Sequence, residues 1–157
     1  MINDFEIKII KYIQSFSNND INNIMILISG FFYYKMYIFI ILVLYYFKKL
    51  RSSDIVLLLF IQFVLMFIKQ TFKRERPFLK NNIQLFDTLE YDEYSFPSGH
   101  TFNAFLLSYL LKKNTNIDLG IIPYLVGLSR IYLGVHYPTD VIGGYVFANI
   151  VMKIYTN

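Results

Sequence analysis

Cysteine is missing from all 157 residues. Disulfides and thiolate metal sites are thereby excluded, and the redox compartment leaves no trace in the sequence. Linker material is missing too. Four prolines and seven glycines are scattered without any Pro/Gly/Ser-rich stretch or charge block, so 1–157 reads as a single domain. Imidazole is scarce, and with two histidines in the chain any histidine chemistry falls to His100 and His136. Met1 to Asp20 has no long apolar core followed by a small-residue cleavage site, and so does not read as a signal peptide. The net charge of +4 does not form a solvated basic stripe. Lys and Arg gather instead at the ends of apolar segments, which argues against nucleic acid and for anionic headgroups.

What the chain has in excess is apolar surface. Hydrophobic residues make up 55% and aromatics 19%, with a mean hydropathy of +0.42, more than a soluble domain of this size could bury in one core. The sequence predicts an all-α, polytopic membrane helix bundle of about five spans. A spanning helix needs about 20 mostly apolar residues. Ile24 to Phe47 is the first candidate, interrupted at Gly30, so that Ile21–Ser29 forms a separate short helix at the interface and Tyr33–Phe47 completes the crossing. Ser52 to Thr71 is the second. A polar loop, Lys73 to Phe96, precedes helices expected over 98–111, 117–135 and 141–156. With 52–71 these form a catalytic core over 52–156. Residues 1–20 are expected to form an amphipathic helix at the membrane interface, with its apolar face at Phe5, Ile9, Tyr12, Ile13 and Phe16.

Short basic loops set the orientation. Lys48, Lys49 and Arg51, then Lys112 and Lys113, then Lys153 fall on one face when the spans alternate. That face is expected to be cytoplasmic, with the polar clusters described next on the outside of the cell membrane. Five spans also put the N-terminus outside, which Lys8 and Lys11 mildly oppose.

Three clusters sit in order at the ends of apolar runs: Lys69 with Arg76-Pro77, then Pro97-Ser98-Gly99-His100, then Ser129-Arg130 with His136 and Asp140. Together they predict a phosphate site. Lys69, Arg76 and Arg130 supply fixed positive charge, although basic residues at a helix exit also snorkel toward headgroups. Pro97-Ser98 opens a helix whose N-terminal N–H groups attract phosphate, and Gly99 allows close backbone approach. A capping serine alone explains the same turn. His100, in the first turn, is disfavoured as imidazolium until a bound phosphate reverses the balance, which suits a general acid. Pro138 forbids a continuous helix through the following turn. Asp140 then falls in the first turn of the last helix, where it can accept from one imidazole nitrogen of His136 and leave the other free to attack phosphorus. A structural His–Asp pair would look similar, but does not explain an arginine buried beside it. His100, Asn103, Arg130 and Asn149 are expected to face the interior of the bundle.

K-x6-R-P, P-S-G-H and S-R-x5-H-x3-D are the three signatures of the type 2 phosphatidic acid phosphatase (PAP2) superfamily, which this chain resembles at every signature position from Lys69 to Asp140. The resemblance implies a helical core like that of the vanadium haloperoxidases and phosphoryl transfer to water, with neither metal nor other cofactor. It assigns catalysis to His136, His100 and Asp140, through a phosphohistidine, and phosphate binding to Lys69, Arg76, Ser98, Gly99 and Arg130. Hydropathy selects the membrane lipid phosphatases within the superfamily. Many of these have six spans, whereas here one N-terminal span is absent or reduced to the interfacial helix. The expected partner is a phosphorylated lipid in the membrane, with undecaprenyl diphosphate first. Phosphatidylglycerophosphate, phosphatidic acid and a lipid A phosphate share its headgroup chemistry. Three rivals stand beside this reading: a lipid-binding protein without turnover, a lipid phosphotransferase, and a metal site on Asp87, Glu90, Asp92 and Glu93, which a solvated acidic loop explains better.

Overall fold

The computed structural model describes residues 2–80, 82–86 and 92–157, and among these every regular element is a helix. In chain order they are α1 (Ile2–Gln14), α2 (Asn19–Gly30), α3 (Tyr34–Tyr46), α4 (Ser52–Phe72), α5 (Pro77–Lys80), α6 (Gly99–Thr115), α7 (Ile122–Tyr132) and α8 (Pro138–Thr156).

The axis of the bundle is α6, whose residues from Thr101 to Leu111 are all buried except the half-buried Tyr109. It packs against α7 and α8. Close approach of α8 depends on Gly144, where a Cβ would stand 2.6 Å from the Ser98 carbonyl oxygen and 3.1 Å from the Phe102 nitrogen. Helix α4 has two unlike faces. Leu58, Ile61, Leu65 and Lys69 turn inward, while Val56, Leu59, Phe60, Phe63, Met66 and Phe67 are exposed. An apolar outer stripe over an apolar core is the arrangement of a helix facing lipid. The segment Ser52–Leu79 is long and apolar enough to cross a membrane, and α2 and α3, bent by 53° at their break, pass the same test as a pair.

Two ends of the bundle follow from the contacts. At one, Asp54 accepts from Asn114 Nδ2 at 2.7 Å and from the Tyr155 hydroxyl at 2.8 Å, which ties α4 to α6 and α8. Asn114 Nδ2 also reaches the Lys49 carbonyl at 3.4 Å. The basic residues Lys48, Lys49, Arg51, Lys112, Lys113 and Lys153 thus gather at this end. At the other end lie the last turns of α4 and α7 and the first turns of α6 and α8. Tyr34 lines the same polar cavity as His136, while Tyr45 meets Ser52 at 3.2 Å, so α3 also runs from one end to the other. Helix α1 stays at the far end, where Gln14 donates to the Tyr132 carbonyl at 2.9 Å, and α2 starts there, with Asn22 accepting from the Tyr132 hydroxyl at 2.5 Å, and carries Ile28 into the core.

Several expected boundaries shift. The predicted helix 117–135 is the shorter α7, because Asn116 ends α6 in the left-handed region at φ 60 and Gly120 turns at φ +55 while donating to Asp118. Helix α6 runs on to Thr115 instead of stopping at 111, and α8 starts at Pro138 instead of 141, since proline is accommodated in a helix's first turn. The amphipathic reading of α1 needs correction. Phe5, Tyr12 and Phe16 are exposed as expected, but a second face carries Ile7, Ile10 and Ile13 into a cluster with Ile83, Ile131 and Tyr137. A helix that meets protein on one side and lipid on the other needs both faces apolar.

Candidate active site

The last turn of α4 delivers Lys69, and Lys73, left-handed at φ 47, ends the helix. The chain then crosses the top of the bundle, pinned where Ser95 N donates to the Arg74 carbonyl at 2.8 Å. Arg76 is thereby turned inward and is 2% exposed. Ser98 caps α6 by accepting from Thr101 N at 3.4 Å and from Thr101 Oγ1 at 2.9 Å. This leaves the Gly99 and His100 N–H groups at the positive end of α6, without intrahelical partners. Arg130 stands in the last turn of α7, and the turn that follows folds back so that His136 N donates to the Arg130 carbonyl at 3.2 Å.

These segments enclose a polar cavity of about 260 Å³. Lys69, Arg76, Gly99, His100, Arg130 and His136, six of the eight residues predicted for the site, line it. Ser98 and Asp140 stand behind its wall, both fully buried. A Cβ placed on Gly99 would meet no atom within 4 Å, so this glycine opens directly onto the cavity. Tyr33 and Tyr34, at the α2–α3 break, contribute to the rim. An apolar cavity of about 400 Å³ adjoins it between α3 and α4, and the two share Tyr34, Asp92, Gly99 and His100.

His136 is 2% exposed. Its Nε2 lies 3.4 Å from Arg76 Nη1 and therefore faces the cations. Its Nδ1 stands 3.6 Å from Asp140 Oδ2, longer than a hydrogen bond. Burial first, then the Arg76, Lys69 and Arg130 cations, hold the imidazole well below the ordinary histidine range, which favours its neutral form. The Nε2 nitrogen of His100 is buried and has no hydrogen-bond partner among the described residues. Arg130 Nη1 bonds to Ser29 Oγ of α2. Of the other polar residues expected inside, Asn103 is buried and accepts from Gln62 at 3.1 Å. Asn149 is only half-buried and pairs with Tyr109 at 2.9 Å.

Asp140 departs from the simple His–Asp pair. Its Oδ2 accepts from Tyr137 N at 2.8 Å, as part of the α8 cap. Its Oδ1 accepts from Arg74 Nη1 at 2.6 Å, and Arg74 Nη2 donates in turn to Glu6 of α1 at 2.6 Å. Neither Arg74 nor Glu6 was predicted, because they are joined only by the fold.

The acidic loop also needs correction. Asp87 and Glu90 lie outside the described residues, but Asp92 is not merely solvated. It approaches Lys69 Nζ at 3.3 Å and pairs with Arg76 Nη2, and so presents a carboxylate at the mouth of the cationic cavity.

A family model described as the PAP2 superfamily matches residues 52–157. Phosphatidylglycerophosphatase B of Bacillus subtilis (strain 168) is 47% identical over 66 residues, covering 33% of this chain and 32% of that protein. Undecaprenyl-diphosphatase BcrC of the same organism is 40% identical over 79 residues, covering 48% of this chain and 40% of that protein. The chain therefore matches well under two thirds of the length of these curated relatives. Among solved structures, a transmembrane PAP2 type phosphatidylglycerolphosphate phosphatase from Bacillus subtilis superposes with a TM-score of 0.81 at 23% identity, covering 98% of this chain and 83% of that one. Aquifex aeolicus LpxE superposes with a TM-score of 0.75 at 24% identity, covering 94% and 92%. At these identities the likeness is one of fold.

Proposed function

The chain belongs to the PAP2 superfamily, and on that premise we propose that it is an integral-membrane lipid phosphatase acting through a phosphohistidine. One observation carries the reading: three cations and two histidines converge on a polar cavity that opens into an apolar one. Such a pair of cavities suits a phosphate joined to a lipid chain.

In this mechanism Lys69, Arg76 and Arg130, with the Gly99 N–H, hold the equatorial phosphate oxygens and offset their growing charge, while Ser98, behind the cavity wall, caps the helix end that presents that N–H. His136 Nε2 attacks phosphorus opposite the leaving oxygen, and His100 gives that oxygen a proton. Asp140 stabilises the positive charge that forms on the His136 ring. Water, deprotonated by His100, then attacks the phosphohistidine and releases inorganic phosphate and neutral His136. No metal is needed where fixed cations already surround the phosphate.

The positive-inside rule supports a cytoplasmic location for the end bearing Lys48, Lys49, Arg51, Lys112, Lys113 and Lys153, and an outward-facing site. With the bent α2–α3 pair as one crossing and α4, α6, α7 and α8 as the others, the chain has five spans, with α1 on the outer side. An outward site fits undecaprenyl diphosphate, the carrier lipid released outside the membrane. The 47% identity to a phosphatidylglycerophosphatase favours phosphatidylglycerophosphate as a second reading. Phosphate release by detergent-purified protein with EDTA present, compared across undecaprenyl diphosphate, phosphatidylglycerophosphate and phosphatidic acid, tests activity and substrate together. The proposal requires release from at least one of these lipids, and release from none would contradict it.

A further inference from the structure

We infer that Glu6 and Arg74 are positioning residues for the Asp140–His136 pair, and that Glu6 keeps the group around Asp140 net negative. The inference rests on the roles proposed above for His136 and Asp140. Helix α1, which carries Glu6, lies outside the 52–157 family match, yet the Glu6 carboxylate is 3% exposed and sits directly behind the site. It accepts from Arg74 Nη2 at 2.6 Å, from Thr139 N at 3.0 Å and from Thr139 Oγ1 at 2.5 Å. The other arm of Arg74 holds Asp140 Oδ1 at 2.6 Å and Thr139 Oγ1 at 2.6 Å. The Arg74 guanidinium also lies 4.0 Å over the Tyr137 ring.

The charge balance gives this arrangement a purpose. Arg74 and Asp140 alone sum to zero, which leaves that pair no net charge to offset the positive charge that forms on His136 when it is phosphorylated. With Glu6 on the far side of the same guanidinium, two carboxylates share one cation and the group keeps one negative charge. His136 needs it, because Lys69 and Arg76 from the α4–α5 side and Arg130 from α7 press positive charge on it and the Ser95 backbone favours its charged form, while among the described residues lining the cavity Asp92 alone is a carboxylate. Docking α1 does not explain the cluster, since Ile7, Ile10 and Ile13 already bury that helix against Ile83, Ile131 and Tyr137. Buried ion pairs seldom add net stability over apolar packing.

The test compares wild type, E6Q, R74Q and the E6Q/R74Q double variant in detergent on one lipid substrate. E6Q is expected to lose roughly ten- to hundredfold in kcat with KM within about twofold, because the loss falls on the transition state. The double variant should recover most of that loss, since removing Arg74 as well restores the negative charge at Asp140. Wild-type kcat in E6Q, or a double variant no better than E6Q, would overturn the inference, because a scaffold role predicts additive damage. Should E6Q not fold, R74Q and the double variant carry the comparison: His136 should titrate lower in the double variant, which keeps one carboxylate, than in R74Q, which keeps two, and equal midpoints would overturn the inference. A readout independent of turnover is the His136 titration in histidine-labelled protein. R74Q should titrate above wild type and E6Q no higher than wild type, and unchanged midpoints in both would contradict the inference. Should wild type release phosphate from no lipid, the functional reading fails, while the titration order still decides the positioning.

Discussion

Arg76 Nη1 lies 3.4 Å from His136 Nε2, so the nitrogen proposed to attack phosphorus faces a guanidinium proposed to hold the phosphate oxygens. The same arginine is engaged by Asp92, whose carboxylate lies where an anion would enter. Asp92→Asn removes this internal competitor. It should tighten vanadate inhibition by about two- to fivefold, the value of an exposed ion pair. Weaker inhibition would mean that Asp92 supports the site instead of competing for it.

Gly99 gives a second prediction. A Cβ there meets nothing within 4 Å in the folded chain, so Gly99→Ala should fold with little change in melting temperature while its methyl group enters the phosphate space. A rise in KM of about tenfold or more is expected, the size of one displaced charge-assisted contact. Unchanged KM would place the phosphate elsewhere.

The third prediction concerns pH. Burial and the nearby cations lower the His136 pKa from its ordinary 6.5, so the neutral, nucleophilic form persists as pH falls through that value and is lost only further into acid. NMR of histidine-labelled protein has two signals to resolve, from His100 and His136, and a His100→Ala variant assigns them. His136 should give no titration step at the ordinary value, and Arg130→Ala, with one cation fewer, should move its step upward. A normal histidine titration in wild type would contradict the geometry.

Orientation is testable because the chain lacks cysteine. Ser17, exposed between α1 and α2, and Asp118, exposed between α6 and α7, lie toward opposite ends of the bundle. Ser17→Cys should react with an impermeant thiol reagent in intact cells, and Asp118→Cys should not. The reverse pattern would put the site on the cytoplasmic face.

The sequence disclosed what short spacing encodes. Lys69, Arg76, Gly99, His100, Arg130 and His136 reach one cavity because each sits at a helix end that alternation brings to the same side. The break at Gly30 was legible because glycine interrupts an otherwise apolar run, and it appears as the α2–α3 bend. Glu6 and Arg74 were not legible, since 68 positions separate them and each alone resembles an ordinary surface charge. Asp92 was hidden for a related reason, as one acid in a loop with several. The second apolar face of α1 was missed because the stripe at Phe5, Tyr12 and Phe16 already accounted for an interfacial helix, and only packing distinguishes the face that meets protein.

The phosphoenzyme is the intermediate on which the role of His136 depends. Protein mixed with a lipid substrate labelled in its terminal phosphate and quenched in alkali within one turnover should carry base-stable, acid-labile label on the peptide containing His136, and His136→Ala should carry none. Turnover without any such label, or label that survives in His136→Ala, would contradict a mechanism in which His136 is the nucleophile.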